Sequence, residues 1–241
     1  MITAEKLTKR YDNNLLALDA INFNVENGEI YCLLGTSGAG KSTTINLFLD
    51  FIKPTSGRAL VNGIDVAKNP LETKKYVSYS SEDITFYGYF TARENLDFFT
   101  RLSGKQGMTK DDYYAVLREV GLQENAFEKR VQFFSKGMLQ KVSIAIAIIR
   151  DTPAILLDEP TSGLDPRASA ELMDTLGQLR SQGKAILMTT HDIFWVKEIV
   201  DRVGIMKEGR KVLERSREEL EHEDLQALYL DYMRSSYRIE R

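Results

Sequence analysis

Residues 30–42, IYCLLGTSGAGKS, are the stretch that decides the fold. The loop within it fits the pattern G-x-x-x-x-G-K-[ST] at every fixed position. An apolar run, residues 30–34, precedes the loop, and a helical pattern over residues 43–51 follows it. Glycines let backbone N–H groups turn inward around a phosphate, and the following helix directs its positive end at the same point. The stretch therefore predicts a strand, a phosphate-binding loop and a helix of an α/β fold.

The polar side chains of this loop suit a polyphosphate. Lys41 adds a cation that can reach the β- and γ-phosphates, and the Ser42 hydroxyl is placed to coordinate Mg²⁺. A glycine-rich turn that binds nothing is the alternative, and the strand and helix around the loop argue against it. The residues predicted to bind the nucleotide here are Gly35, Thr36, Ser37, Gly38, Ala39, Gly40, Lys41, Ser42 and Thr43.

A second motif, AILLDEP at residues 154–160, carries two carboxylates off the end of an apolar run. In a doubly wound sheet such strand ends face the ligand crevice. Asp158 would then act on the metal held by Ser42, directly or through water, and Glu159 would orient or deprotonate an attacking water. By itself, an ordinary strand-ending turn is an equally good interpretation. Together with the loop at Gly35, the pair favours phosphate hydrolysis.

The remaining patterns predict how the chain is organised. Unbroken apolar runs at residues 30–34, 154–157 and 185–188 are typical of buried parallel strands. Alternating segments that break at Asn-Gly turns, residues 2–7, 18–25 and 59–61, predict an antiparallel layer. Helical spacing over about residues 90–150, with Thr109 and Asp112 as a capping pair, predicts an inserted helical subdomain. After Gly209 the chain is charged and is predicted to be locally helical, with packing residues Leu220, Leu225, Leu228, Leu230 and Met233.

Composition excludes several classes of protein. With 43% hydrophobic and 28% charged residues, the 241-residue chain is not mainly disordered. A net charge of −3 argues against broad binding to nucleic acid, and the single cysteine, Cys32, gives no support for an oxidising compartment. The most apolar run, residues 142–149, is bracketed by Lys141 and Arg150 and is too short to span a bilayer. We expect a cytoplasmic protein without an export signal.

Five motifs in order resemble the nucleotide-binding subunit of an ATP-binding cassette (ABC) transporter. They are the loop at 35–42, FSKGMLQ at 134–140, LDEP at 157–160, SGLD at 162–165, and His191. The resemblance extends to about residue 212. It implies a P-loop NTPase (RecA-like) mixed-sheet core of α/β class with an antiparallel β layer and an inserted α-helical subdomain. The implied boundaries are a core at about 1–88 and 151–211, a helical subdomain at about 89–150, and a carboxyl-terminal extension at 212–241.

The resemblance also implies an activity and partners. The protein would bind Mg-ATP between two copies, or with a paired nucleotide-binding subunit, hydrolyse ATP, and drive a separate integral membrane permease. It would lie peripherally on the inner face of the cell membrane, with no nucleic acid expected. A P-loop kinase and a non-transport cassette ATPase acting on nucleic acid or the ribosome remain as alternatives.

Five further residues take roles from the resemblance. Ser135 and Gly137 would bind the γ-phosphate of ATP held by a second copy, and Asp165 would couple the two sites. His191 would hold the γ-phosphate and the attacking water, and Tyr11 would stack on adenine. Without the resemblance, Ser135 would be a helix N-cap and Asp165 a turn residue. His191 would be a helix-capping histidine, and Tyr11 a surface or core tyrosine. The predicted catalytic residues are therefore Glu159, His191 and Lys41.

Two segments depart from the common family pattern. Glu82 stands where the family usually has glutamine, so a third carboxylate would join Asp158 and Glu159. The predicted metal ligands are Ser42, Glu82 and Asp158. The ATPase activity of the protein should then depend more steeply on Mg²⁺ than that of the Glu82→Gln variant. Alternatively, Glu82 lies one position away from the true equivalent. The segment at 134–140 departs from Leu-Ser-Gly-Gly-Gln by Phe134, Lys136 and Met138. Such variants resemble sodium- and drug-efflux ATPases and point to export.

Overall fold

Two β-sheets and a set of helices form the part of the protein that the computed structural model describes, residues 1–234. The strands are β1 (Ile2–Arg10), β2 (Leu16–Val25), β3 (Ile30–Gly35), β4 (Ser56–Val61), β5 (Ile64–Asp65), β6 (Val77–Ser80), β7 (Ala154–Asp158), β8 (Ala185–Thr190), β9 (Arg202–Lys207) and β10 (Arg210–Ser216). The helices are α1 (Lys41–Phe48), α2 (Pro70–Thr73), α3 (Ala92–Leu102), α4 (Lys110–Glu119), α5 (Lys136–Arg150), α6 (Pro166–Ser181), α7 (Ile193–Ile199), α8 (Arg217–His222) and α9 (Leu225–Arg234).

The larger sheet has the strand order β10-β9-β3-β8-β7-β6 and is parallel except for β10. Every residue of β3, β7 and β8 is buried, which confirms the prediction that these apolar runs are buried parallel strands. Because parallel strands share one carboxyl edge, this register brings the segments after Gly35, Asp158 and Thr190 to the same edge.

The smaller sheet, β2-β1-β4-β5, is antiparallel, as predicted. Its buried residues share one apolar cluster with α1 and with one face of the larger sheet, including Phe48, Tyr31 and Leu187. Helix α1 begins at Lys41, two residues earlier than predicted, because Gly40 is its N-cap in the left-handed conformation.

Helices α3, α4 and α5 lie in the chain between β6 and β7, where helices were predicted. Thr91 and Glu94 form a capping box at the start of α3, and Thr109 and Asp112 form the predicted one at α4. Leu96 and Leu117 are fully buried in the cluster that joins these helices to the larger sheet. Among the described residues, the protein has no helix both long and apolar enough to cross a membrane.

The prediction of helix directly after Gly209 was wrong. Residues 210–216 form β10, which pairs antiparallel with β9 around a turn at Glu208 and Gly209, and helix resumes only at Arg217. Pairing with β9 hydrogen-bonds the backbone of these residues, so local helical propensity does not decide their structure. Strand β10 thus crosses the boundary predicted at residues 211/212. Residues 235–241 of the predicted extension lie outside the described residues.

The packing prediction for the extension holds in part. Leu220 and Leu225 are buried, Leu228 is partly buried and Met233 packs against the core, but Leu230 is 40% exposed. Leu230 lies one residue after the buried Tyr229, so it points away from the face that α9 presents to the core.

An ionic network ties β9 and β10 to the start of β3. Arg202 pairs with the buried Glu29 at 3.0 Å and with Glu214 at 2.6 Å, and the Tyr31 hydroxyl donates to Glu214 at 2.8 Å. Lys211 also pairs with Glu214. Burial of the Glu214 carboxyl raises its pKa, but the hydrogen bonds from Lys211, Arg202 and Tyr31 outweigh burial, and the pKa of Glu214 is lowered to about 2.

Glu214 should make the free energy of unfolding depend on pH in acid. Its pKa is lower in the folded chain than the usual value of about 4.3, so its contribution is complete above about pH 5 and is lost as pH falls toward 2. We expect Glu214→Gln to lower the free energy of unfolding by about 1–2 kcal/mol at pH 7, after allowing for solvent screening of a partly exposed group.

Urea unfolding of the wild type and Glu214→Gln at pH 7, 4 and 3 measures this contribution. The difference between the two proteins should shrink steadily across the series, whereas the exposed Glu221→Gln control should stay close to the wild type throughout. An equal difference at pH 7 and pH 3 would show that the charge of Glu214 contributes nothing.

Candidate functional site

The loop after β3 needs glycine at two positions. Gly40 has a φ of +104°, and a Cβ there would lie 2.6 Å from the carbonyl oxygen of Ala17. Gly38 has a φ of +81°, and its Cβ direction is open, with no atom within 4 Å. A side chain at Gly40 would therefore collide with the β1–β2 hairpin, whereas the backbone at Gly38 borders open space that a ligand can approach.

Lys41 places its cation inside this loop. Its side chain is only 6% exposed, and Nζ donates to the carbonyl oxygens of Gly35 at 2.7 Å and Thr36 at 3.3 Å. Nζ also pairs with Glu159 Oε1 at 3.1 Å. The two predicted motifs therefore meet through one ion pair, and the loop holds a positive charge suited to phosphate oxygens.

Asp158 and Ser42 provide the candidate metal ligands. Ser42 Oγ donates to Asp158 Oδ1 at 3.3 Å, and Thr189 Oγ1 donates to the same oxygen at 2.5 Å. Within residues 1–234 no group of three or more His, Cys, Asp or Glu side chains could hold a metal ion. Magnesium is commonly held by one or two carboxylates together with substrate phosphates, so a hydroxyl and one carboxylate beside a phosphate loop fit it.

Glu159 follows directly, in a left-handed conformation with a φ of +47°. Its backbone N–H donates to the carbonyl oxygen of Thr189 at 3.1 Å and to Oγ1 of Thr189 at 3.2 Å. Such a conformation costs about 1–3 kcal/mol and persists where neighbouring structure holds it. The Thr189 bonds hold the backbone of Glu159 so that its carboxylate points back to Lys41.

His191 completes the group. Its ring Nδ1 lies 2.9 Å from Glu159 Oε2, and its backbone N–H donates to the same oxygen at 3.2 Å. The side chain is 60% exposed, so the ring contacts Glu159 on one side and solvent on the other. The next helix, α7, is capped by Asp192 rather than by the histidine. The structure thus brings together all three residues predicted to be catalytic, Lys41, Glu159 and His191.

Ser135, Gly137 and Asp165 form a second group at the starts of α5 and α6. Ser135 Oγ accepts from the N–H of Met138 at 3.3 Å, and Asp165 Oδ1 accepts from the N–H of Ala168 at 2.9 Å. A Cβ on Gly137 would lie 3.3 Å from Ala168 Cβ, so glycine lets the two helices approach. These three residues line a cavity of about 620 Å³.

Tyr11 and Glu82 belong to neither of these two groups of residues. Tyr11 is half-buried in the turn between β1 and β2, and the Lys9 ammonium lies 5.2 Å from the centre of its ring. Glu82 is exposed, and its Oε1 accepts a hydrogen bond at 2.9 Å from Ser162 Oγ, in the turn after Glu159. Cys32 is fully buried and burial raises the pKa of its thiol, so it is a core residue, as predicted.

Two side chains close to the site had not been predicted. Thr189 bonds both Asp158 and Glu159 because β8 pairs with β7 so that Thr189 lies opposite Asp158. A signal existed, since two threonines end an otherwise apolar run just before His191. Tyr229 of α9 is buried, and burial, with a smaller effect from the charge of Glu159, raises its pKa. Nothing in the pattern of the charged tail pointed to this.

A family model described as "ABC transporter" matches residues 18–162. The chain is 33% identical over 213 residues to the linearmycin resistance ATP-binding protein LnrL of Bacillus subtilis (strain 168), covering 88% of this chain and 68% of the relative. It is 37% identical over 211 residues to the bacitracin transport ATP-binding protein BcrA of Bacillus licheniformis, covering 87% and 68%.

The chain is also similar to a longer protein and to a solved structure. The probable multidrug ABC transporter ATP-binding protein YbhF of Escherichia coli (strain K12) is 31% identical over 212 residues, which are 88% of this chain but only 36% of YbhF. A solved dimeric structure of the ATP-binding cassette MJ0796, in a post-hydrolysis state bound to ADP and Pi, superimposes with a TM-score of 0.82. That match has 26% sequence identity and covers 90% of this chain and 99% of the other.

Proposed function

The chain belongs to the ABC transporter family and is an ATPase, and we propose that it drives a separate membrane permease in the direction of export. The observation that carries the proposal is the meeting of Lys41, Glu159 and His191 at one edge of the larger sheet, beside Ser42 and Asp158. The relative named for bacitracin transport supports a role in transport, and the FSKGMLQ variant at 134–140 is the feature that favours export.

ATP is the proposed substrate of this group. Backbone N–H groups of the loop and the Lys41 ammonium would bind the β- and γ-phosphates, and Ser42 with Asp158 would hold Mg²⁺. When bound, the metal would neutralise charge that develops on the phosphates. Glu159 would take a proton from the water that attacks the γ-phosphorus, as the bond from the γ-phosphorus to the β–γ bridging oxygen breaks and ADP leaves. His191, held against Glu159, would orient that water.

A second copy, or a paired subunit, would complete the site. Ser135 at the start of α5 and Gly137, two residues later, would offer N–H groups to an anion, and Asp165 lies at the start of α6 beside them. We propose that they meet the γ-phosphate held by the other copy. The dimeric structure of MJ0796 with ADP and Pi supports this arrangement. Tyr11 is proposed to stack on adenine.

An apolar groove is the proposed docking surface for a segment of the membrane subunit. The groove has a volume of about 400 Å³, lies between α3, α5 and the segment after β6, and is mostly apolar. Leu102 and Phe51 on its wall are 71% and 61% exposed. Apolar surface of this kind marks a protein interaction site. Lys74 and Arg150 also line the groove, so the docking segment should carry an acidic residue.

Copurification separates a transporter subunit from its alternatives. We expect the tagged chain, extracted from membranes in detergent, to carry the product of a neighbouring gene with several apolar runs of about 20 residues. Leu102→Glu should reduce the amount of this partner, because a charge in the groove would be desolvated on docking. The matched control is Leu230→Glu on α9, which should leave the amount of the partner unchanged.

Other outcomes would replace the proposal. Nucleic acid or ribosomal protein that copurifies in place of a membrane protein would favour the non-transport ATPase. Transfer of the γ-phosphate to a small molecule rather than to water would favour the kinase. The prediction that Glu82 is a third metal ligand stays a prediction.

A further inference from the structure

Glu82 is bonded to the turn that begins at the proposed general base. Its carboxylate accepts a hydrogen bond from the Ser162 hydroxyl at 2.9 Å, although the two residues are 80 positions apart in sequence. Glu82 follows β6 and Ser162 follows β7, and these strands are neighbours in the parallel sheet. The bond therefore joins two loops at the same carboxyl edge.

The turn at Ser162 is continuous with Glu159. The N–H of Ser162 donates to the carbonyl oxygen of Glu159 at 3.0 Å, and the N–H of Leu164 donates to the carbonyl oxygen of Thr161 at 3.1 Å. Because Glu159 has a left-handed φ of +47°, the direction of its carboxylate depends on what holds this turn in place. Thr189 on β8 holds the backbone of Glu159 itself, and Glu82 after β6 holds the turn that follows at Ser162.

Lys136 contacts the same turn from another element. A Cβ on Gly163 would lie 3.3 Å from Lys136 Cδ and 3.4 Å from Lys136 Nζ, so the lysine side chain packs on this glycine. Glu82 and Lys136 are both positions at which the sequence departs from the common family pattern. Both of these unusual side chains therefore contact the same turn, residues 161–165.

We propose that Glu82 is a positioning residue that acts through Ser162 to hold the 161–165 turn, and with it Glu159, rather than a ligand of the metal. The proposal rests on the proposed function, since it takes Glu159 as the general base. A carboxylate accepts hydrogen bonds more strongly than a neutral group does. Glutamine at position 82 could still accept from Ser162 through its amide oxygen, whereas alanine could not.

A double-mutant cycle tests the coupling. Glu82→Ala and Ser162→Ala should each lower kcat by about three- to fivefold, as expected for loss of one exposed charge-assisted hydrogen bond. The double variant should be no worse than either single one, because both remove the same interaction. The KM for ATP and the half-saturating Mg²⁺ concentration should stay unchanged in all three.

Rescue and folding controls complete the experiment. Glu82→Gln should recover most of the kcat that Glu82→Ala loses. Ser181→Ala, at the end of α6, removes a similar exposed hydroxyl and should leave kcat unchanged. Thermal melts followed by the single tryptophan, Trp195, show that each variant is folded.

Two results would overturn the proposal. Multiplicative losses in the double variant would mean that Glu82 and Ser162 act separately. A raised half-saturating Mg²⁺ concentration in Glu82→Gln, with none in Ser162→Ala, would make Glu82 a metal ligand. Failure of the proposed function is recognised independently, as normal turnover in Glu159→Gln.

Discussion

Glu159→Gln is expected to abolish most ATP turnover while ATP still binds. The amide matches the carboxylate in size but cannot take a proton from the attacking water, and general-base catalysis contributes about 10²–10⁴-fold. Lys41 keeps its two bonds to the carbonyl oxygens of Gly35 and Thr36, so the phosphate loop should retain its cation. Bound ATP would then persist, and the ATP-bound dimer should accumulate.

Three measurements check this. Phosphate release gives turnover, Trp195 fluorescence gives ATP binding, and light scattering with and without Mg-ATP gives the oligomeric state. Glu221→Gln, an exposed change on α8, is the control and should behave as the wild type. Near-normal turnover in Glu159→Gln would remove Glu159 from the mechanism.

Local patterns predicted the elements that position the candidate site. The loop at 35–42 and the carboxylates at 158–159 could be placed from sequence because each follows an unbroken apolar run, and parallel strands bring such ends together. Glycine at position 40 could likewise be read as a backbone requirement, which the close approach of Ala17 explains.

What the patterns missed depends on register and on tertiary contacts. Thr189 contacts Asp158 only because β7 and β8 pair in one particular alignment, which no periodicity specifies. The bond from Ser162 to Glu82 joins loops 80 residues apart in sequence, and no local pattern indicates it. Strand β10 was missed because its stability comes from β9 and from the Arg202–Glu214 pair.

Lys41→Met is expected to fail at an earlier step, the binding of ATP itself. Methionine fills a similar volume without the charge, so the loop should fold around it. The ammonium is nearly inaccessible to solvent, and losing a buried charge partner typically costs 2–5 kcal/mol, so we expect ATP affinity to fall by roughly 30-fold or more. Lys53→Met removes a 59% exposed lysine that pairs with Asp50 and should leave affinity unchanged.

The two variants at this ion pair should therefore separate binding from chemistry. Lys41→Met should bind ATP weakly and form no ATP-dependent dimer, whereas Glu159→Gln should bind ATP and accumulate as a dimer. The double variant should behave as Lys41→Met, because a site that does not bind ATP cannot reveal a defect in its hydrolysis. Titration of ATP in all three proteins, followed by Trp195 fluorescence, shows whether the loss of binding comes before the loss of hydrolysis. If Lys41→Met bound ATP as tightly as Lys53→Met, the buried cation would serve only to hold Glu159 in place.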